Sequence, residues 1–100
     1  MRRGTTPKHT FTLPFDTADV AKVRVIYAQG DEVVLVKCED DVSFEGNDIT
    51  LKLTQEETLS FSCKTSVKVQ IRVLTTAGDA LSSDPCIVSV EECLEDEVLA

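Results

Sequence analysis

The chain has no tryptophan, one tyrosine, one histidine and only four glycines in 100 residues. It also has no apolar run near the roughly 20 residues that cross a bilayer as a helix. Each scarcity excludes something. Sugar-binding faces stack exposed aromatic rings, and the single Tyr27 and four phenylalanines fall almost entirely at inward-phased positions. A nucleophile–base–orienter triad has only His9 to draw on, beside an opening strand, and no Gly-x-Ser-x-Gly elbow occurs. The glycines stand singly at Gly4, Gly30, Gly46 and Gly78. They cannot form a phosphate-cradling loop and read instead as turn positions. Positive charge is scarce as well: ten Lys and Arg against eighteen Asp and Glu leave a net charge of −8. Such a chain repels phosphate backbones and anionic membrane surfaces, so neither nucleic acid nor membrane is expected as a partner. Basic residues open the chain, but no apolar stretch follows them, so Met1 to Pro7 is not a secretory signal. The expectation is a complete cytoplasmic product.

Four cysteines, Cys38, Cys63, Cys86 and Cys93, are too widely spaced for a zinc pattern. In a reducing compartment they read as free, partly buried thiols. The alternative is one disulfide, Cys38 with Cys63 or Cys86 with Cys93. No catalytic, cofactor-binding or metal-binding residue is assigned, and the chain is not expected to be an enzyme. Glu39, Asp40 and Asp41 with Glu45, Asn47 and Asp48 form the one acidic cluster that is a candidate for calcium. It lacks the alternating ligand spacing of a calcium loop and reads as a solvated loop.

What is present is a period of two. Val67, Val69, Ile71 and Val73 alternate with Lys68, Gln70 and Arg72, the pattern of a central strand with one face on a core. Val23, Val25 and Tyr27 repeat it. Gln29-Gly30-Asp31 then turns the chain into Glu32 to Cys38, which predicts a hairpin. An opening strand carries Phe11 and Leu13 and stops at Pro14. Asp41 to Phe44 pairs with Ile49 to Leu53 across Gly46. Thr54-Gln55-Glu56-Glu57 has the form of a capping box and predicts one helical turn crossing between sheets. The last strand, Ala80 to Val90, contains Pro85, which cannot donate to a ladder. It is therefore an edge strand or bulged at Asp84-Pro85.

The pattern predicts an all-β, immunoglobulin-like antiparallel sandwich of six to seven strands with one short helical turn. It forms a single domain over 1–100, with 1–8 and 91–100 as flexible or partner-bound tails. The expected core is Phe11, Leu13, Val23, Val25, Tyr27, Leu35, Ile49, Leu51, Leu53, Leu59, Phe61, Val67, Val69, Ile71, Val73, Val88 and Val90. Ile26, Val33 or Val34, Leu74 and Ile87 fall on the opposite faces. Two readings of them stay open: cover by a loop, or a subunit interface. Arg2, Arg3 and Lys8 at one end and the acids of Glu91 to Glu97 at the other have the polarity for head-to-tail packing.

Four segments carry a family resemblance: the opening MRRGTTP, then HTFTLPFDT, LTQEETLSF and QIRVLTTAGDALSSD. Together they resemble small structural proteins encoded by phages and prophages of gut Firmicutes, over nearly the whole chain. The resemblance implies a virion protein, tail or baseplate associated, in a setting where immunoglobulin-like modules are common. Its partners would be other virion structural proteins and itself, first in the host bacterial cytoplasm and then in the virion. It brings no catalytic or ligand residues and no cofactor. Such proteins tend to carry an uninterrupted apolar run where this chain has Pro85.

Overall fold

The computed structural model describes residues 1–99; Ala100, the last residue of the tail expected over 91–100, lies outside them. Its centre is the pairing of β2 (Val20–Gln29) with β6 (Val67–Thr75), which sets Val23 against Val73, Val25 against Ile71 and Tyr27 against Val69. All six side chains are buried. Alternation puts Arg24, Lys68 and Arg72 on the other face, in or near water. Gly30, with φ of 60°, takes the first of two loop positions between β2 and β3 (Glu32–Cys38). A side chain there would be strained, which is why the hairpin closes at this glycine.

Beyond β6, the returning chain forms β7 (Ala80–Ser82) and β8 (Cys86–Val88), both against the same strand. Together they make an antiparallel sheet in the order β3-β2-β6, with β7 and β8 outermost. The second sheet is β1 (Lys8–Thr12), β5 (Asp48–Lys52) and β4 (Ser43–Glu45), in the order β1-β5-β4 and also antiparallel. Helix α1 (Gln55–Leu59) crosses from one sheet to the other. Its capping box is made as expected: Glu57 N–H donates to Thr54 Oγ1 at 3.1 Å and Thr54 N–H to Glu57 Oε1 at 2.8 Å. This is an all-β sandwich with the strand order of an immunoglobulin-type fold. The sheets correspond to its B-E-D and C′-C-F-G strands, and among the described residues no strand lies beside β1 where that fold carries its first one.

There are eight strands among the described residues rather than six or seven, and Pro85 is the reason. Between the pairs Val69–Cys86 and Arg72–Ser82, β6 contributes Gln70 and Ile71 while the returning chain contributes Ser83, Asp84 and Pro85. The extra residue is a bulge on an edge strand, so both readings of Pro85 hold at once. Ser83 repairs the gap. Its N–H donates to the Ile71 carbonyl at 3.0 Å, and its Oγ accepts from Ile71 N–H at 3.1 Å.

The core contains Ile49, Leu51, Leu53, Phe61, Val67 and Val90 with the central pairs, all as expected. Phe11, Leu13, Leu35 and Val88 pack at its margin. Leu59 is a correction. It is only half-buried, beside Gly4, and the residue of α1 that disappears into the interior is Thr58. A five-residue helix buries only one or two positions, and here the buried hydroxyl donates to the Thr5 carbonyl at 2.8 Å.

The terminal segments lie against the sandwich. Arg3 donates from Nε to the Phe61 carbonyl at 2.7 Å and from a terminal nitrogen to the Leu59 carbonyl at 2.8 Å, and it pairs with Asp96. A cation thus sits at the carbonyl end of α1, where the helix dipole favours it. Arg2 and Glu91 form a parallel bridge.

Ser83→Ala should leave the Ile71 N–H without its partner. Loss of about 1–3 kcal/mol of unfolding free energy is expected, the cost of an unsatisfied buried donor. Urea denaturation of the two proteins measures it.

Candidate functional site

His9, the lone imidazole, lies on the inward face of β1. Its Nδ1 is 2.7 Å from the Tyr27 hydroxyl, and the two rings stack at 5.7 Å between centroids. Tyr27 in turn leans on Phe61. Burial, and then the positive chain terminus, lower the pKa of His9. With the neutral ring protonated on Nε2, Nδ1 accepts a hydrogen bond from the Tyr27 hydroxyl, which keeps its proton. Burial, and then the negative charge of Glu57, push the Tyr27 phenol above the ordinary tyrosine range. The pair therefore joins two sheets by a neutral hydrogen bond.

Lys37 lies in register with Val25, on the inward face of β3, and forms an ion pair with Glu57 of α1. Both side chains are largely buried, at 14% and 17% exposure. Burial raises the pKa of Glu57, but the hydrogen bonds from Lys37 and Thr54 outweigh it, and the net shift is downward. The pair ties the edge strand β3 to the crossing helix. The sequence did carry a signal for it, because Lys37 follows Leu35 at a spacing of two and so shares the inward stripe.

The other residues singled out in the sequence do not converge. Among the described residues, no group of three His, Cys, Asp or Glu side chains is placed to hold a metal ion. The acidic cluster is dispersed over separate tasks. Glu39 accepts from Arg24 at 3.1 Å, Asp41 from the Cys38 N–H at 2.9 Å and Asp48 from the Thr12 hydroxyl at 2.7 Å. The Glu39 carboxyl is held below its ordinary value, first by its own backbone N–H and despite some desolvation, with Val23 N–H and Arg24 adding to the effect. All four cysteines are unpaired, Cys63 and Cys86 exposed and Cys38 and Cys93 half-buried. The opposite charges of the chain ends meet within one molecule, in the Arg3–Asp96 pair. No helix among the described residues is long and apolar enough to cross a membrane.

Two surface features remain. On the outer face of the larger sheet, Ile26 lies beside Val36 and Ile87 beside Lys68. Val33, Val36, Leu74 and Ile87 are exposed, Ile87 at 70%. The second feature was not anticipated from sequence. An open, mainly apolar cleft of about 550 Å³ runs between the β1 segment and β6–β7. Phe11, Leu13 and Phe15 line one wall; Ile71, Val73 and Leu81 line the other.

The His9 shift sets a pH dependence. Its folded pKa lies below the ordinary histidine value of 6.5. As pH falls through that value the unfolded chain takes up the proton first, so stability drops until the folded pKa is passed. Glu39, Glu57 and Glu91, also shifted down, act below their ordinary 4.5. The protein should therefore lose stability between about pH 7.5 and about pH 5.5, and His9→Gln should lose less over that interval in urea titrations. Lys37→Ala should cost roughly 1–3 kcal/mol, between the values for exposed and fully buried pairs. A double-mutant cycle with Glu57→Gln isolates the coupling.

Compared with known protein families and with curated proteins, the chain matches none.

Proposed function

We propose that the protein is a non-enzymatic structural or assembly component of phage origin, tail or baseplate associated, acting through protein–protein contact. The observation that carries the reading is the outer face of the β3-β2-β6-β8 sheet. Val33, Val36 and Ile87 lie open to solvent there around Ile26 and Lys68, and Leu74, also exposed, lies farther along the same face beyond Arg24 and Arg72. Water does not favour a set of β-branched and aliphatic side chains on one rigid face, whereas a protein partner does. Sheet geometry holds these side chains in fixed positions, so docking orders little that is not already ordered. The resemblance in the opening, crossing and hairpin segments supplies the virion setting. It also supplies the expectation of host cytoplasm first and particle afterwards.

A carbohydrate- or host-surface-binding module is the other reading. Phe44, 42% exposed, gives it a single stacking ring. A glycan array separates the two.

The full chain should co-purify with the products of virion genes that neighbour its own, or self-associate in size-exclusion chromatography with light scattering. Ile26→Lys with Ile87→Lys should weaken the contact to those products, because a charge in an apolar interface must be desolvated. A protein that stays a clean monomer at high concentration and retains none of those products overturns the reading.

A further inference from the structure

β1 has one free edge, and that edge is a regular template. Among the described residues β5 is its one strand neighbour, and the β1–β5 register runs unbroken from Lys8–Lys52 to Thr12–Asp48. At its two ends, Leu53 N–H donates to the Pro7 carbonyl and Leu13 N–H donates to the Asn47 carbonyl. Strand backbones alternate, so His9 and Phe11 also turn their N–H and C=O groups toward β5. Lys8, Thr10 and Thr12 turn theirs outward, to the free edge. Pro7 and Pro14 stand just beyond the two ends of this stretch and limit any added pairing to it. Natural edges are blunted by bulges, prolines within the strand or a covering segment; β1 has none of these, and carries only Lys8.

The side chains beside this edge are arranged in rows. At one end Lys8 lies next to Lys52. In the middle, Thr10, Thr50 and Ser43 align. At the other end Thr12, Asp48 and Glu45 align. Within the strands, one end of this outward face therefore carries Lys8 and Lys52 and the other Asp48 and Glu45, with Asp41 of the turn before β4 near the lysine end.

We propose that β1 is a homodimerisation edge, on which two copies pair antiparallel about a two-fold axis through Thr10. The outward-pointing groups fix the register. Thr10 meets Thr10 of the partner subunit, and Lys8 meets Thr12 of the partner subunit. Every outward N–H and C=O of Lys8, Thr10 and Thr12 then finds a partner. The same two-fold lays the basic row of each copy against the acidic row of the other, twice, and the two three-stranded sheets become one continuous sheet. An antiparallel self-pairing is isologous and closes on itself, so it stops at two copies. The cleft beside the edge, with Phe11, Phe15 and Leu81, supplies apolar surface to bury. This pairing deepens, and for its purpose rests on, the assembly reading. It uses a different surface from the apolar face of the larger sheet.

Sedimentation equilibrium of the full chain tests it, in reducing buffer so that exposed Cys63 and Cys86 do not cross-link. A dimer is expected. Thr10→Pro removes an outward N–H and no backbone bond within the subunit, and Thr10→Lys places two like charges face to face; both also remove the exposed 3.3 Å hydroxyl contact between Thr10 and Thr50. Each should raise the dimer dissociation constant roughly tenfold or more, with the circular dichroism spectrum unchanged. Lys8→Glu should weaken the dimer as well, and Lys8→Glu with Asp48→Lys should restore it, because the swap re-forms the complementary rows. A dimer indifferent to both Thr10 variants, or one lost on Ile87→Lys instead, overturns the proposal. A wild-type monomer that still retains neighbouring virion products overturns the edge pairing and leaves the assembly reading standing.

Discussion

The structure depends on one pairing, the ladder between β2 and β6 over Val20 to Gln29 and Val67 to Thr75. It is central in the larger sheet and places Val23, Val25, Tyr27, Val69, Ile71 and Val73 on one face in matched positions. A slip of one residue would turn one strand's half of that stripe to water and bring either Lys68 and Arg72 or Arg24 inside, so the register is strongly specified. The second sheet exists to cover this face. It offers Ile49 and Leu51 from β5, with Leu53 following and Phe61 arriving after α1.

The irregular places follow from this requirement. Val34 is an extra residue in β3 opposite the Tyr27–Ala28 step, and Ser83 to Pro85 hold one extra residue opposite Gln70 and Ile71. Both lie on strands that flank the central pair, and a third extra residue, Ala21, falls at the Val20–Lys22 end of β2 outside the buried pairs, so each bends the sheet without disturbing the register of its core. Polar groups that enter the interior are each answered: His9 by Tyr27, Lys37 by Glu57, Thr58 by the Thr5 carbonyl. No buried side-chain nitrogen or oxygen among the described residues lacks a partner. One side of the sandwich is tied shut by Lys37–Glu57 and α1, while the side between β1 and β7 stands open. That asymmetry separates the surface that is finished from the surface that is available.

Much of the fold was legible because its signals are local. The alternation at Val67 to Val73, the glycine at Gly30 and the Thr54–Glu57 box each need only a few neighbouring residues to act. Pro85 announced an interruption for the same reason: its missing N–H is a property of one residue. Leu59 was misplaced because helical phase over five residues is too short to choose between Thr58 and Leu59. Of the candidate sites, the exposed row at Val33, Leu74 and Ile87 could be read from strand phase, but the cleft beside β1 could not.

The amino-acid sequence by itself determined the strands, their inward faces, the turns and the absence of a cluster of chemistry-bearing residues along the chain. These are set by periodicity and backbone stereochemistry within a few residues. Tertiary structure alone decided which strands stand at the sheet edges, that His9 meets Tyr27 and that Lys37 meets Glu57. It also decided that basic and acidic rows share one sheet face beside a free edge. Those outcomes depend on contacts between residues far apart in the chain, and the choice among them is made by how the two sheets bury a common core.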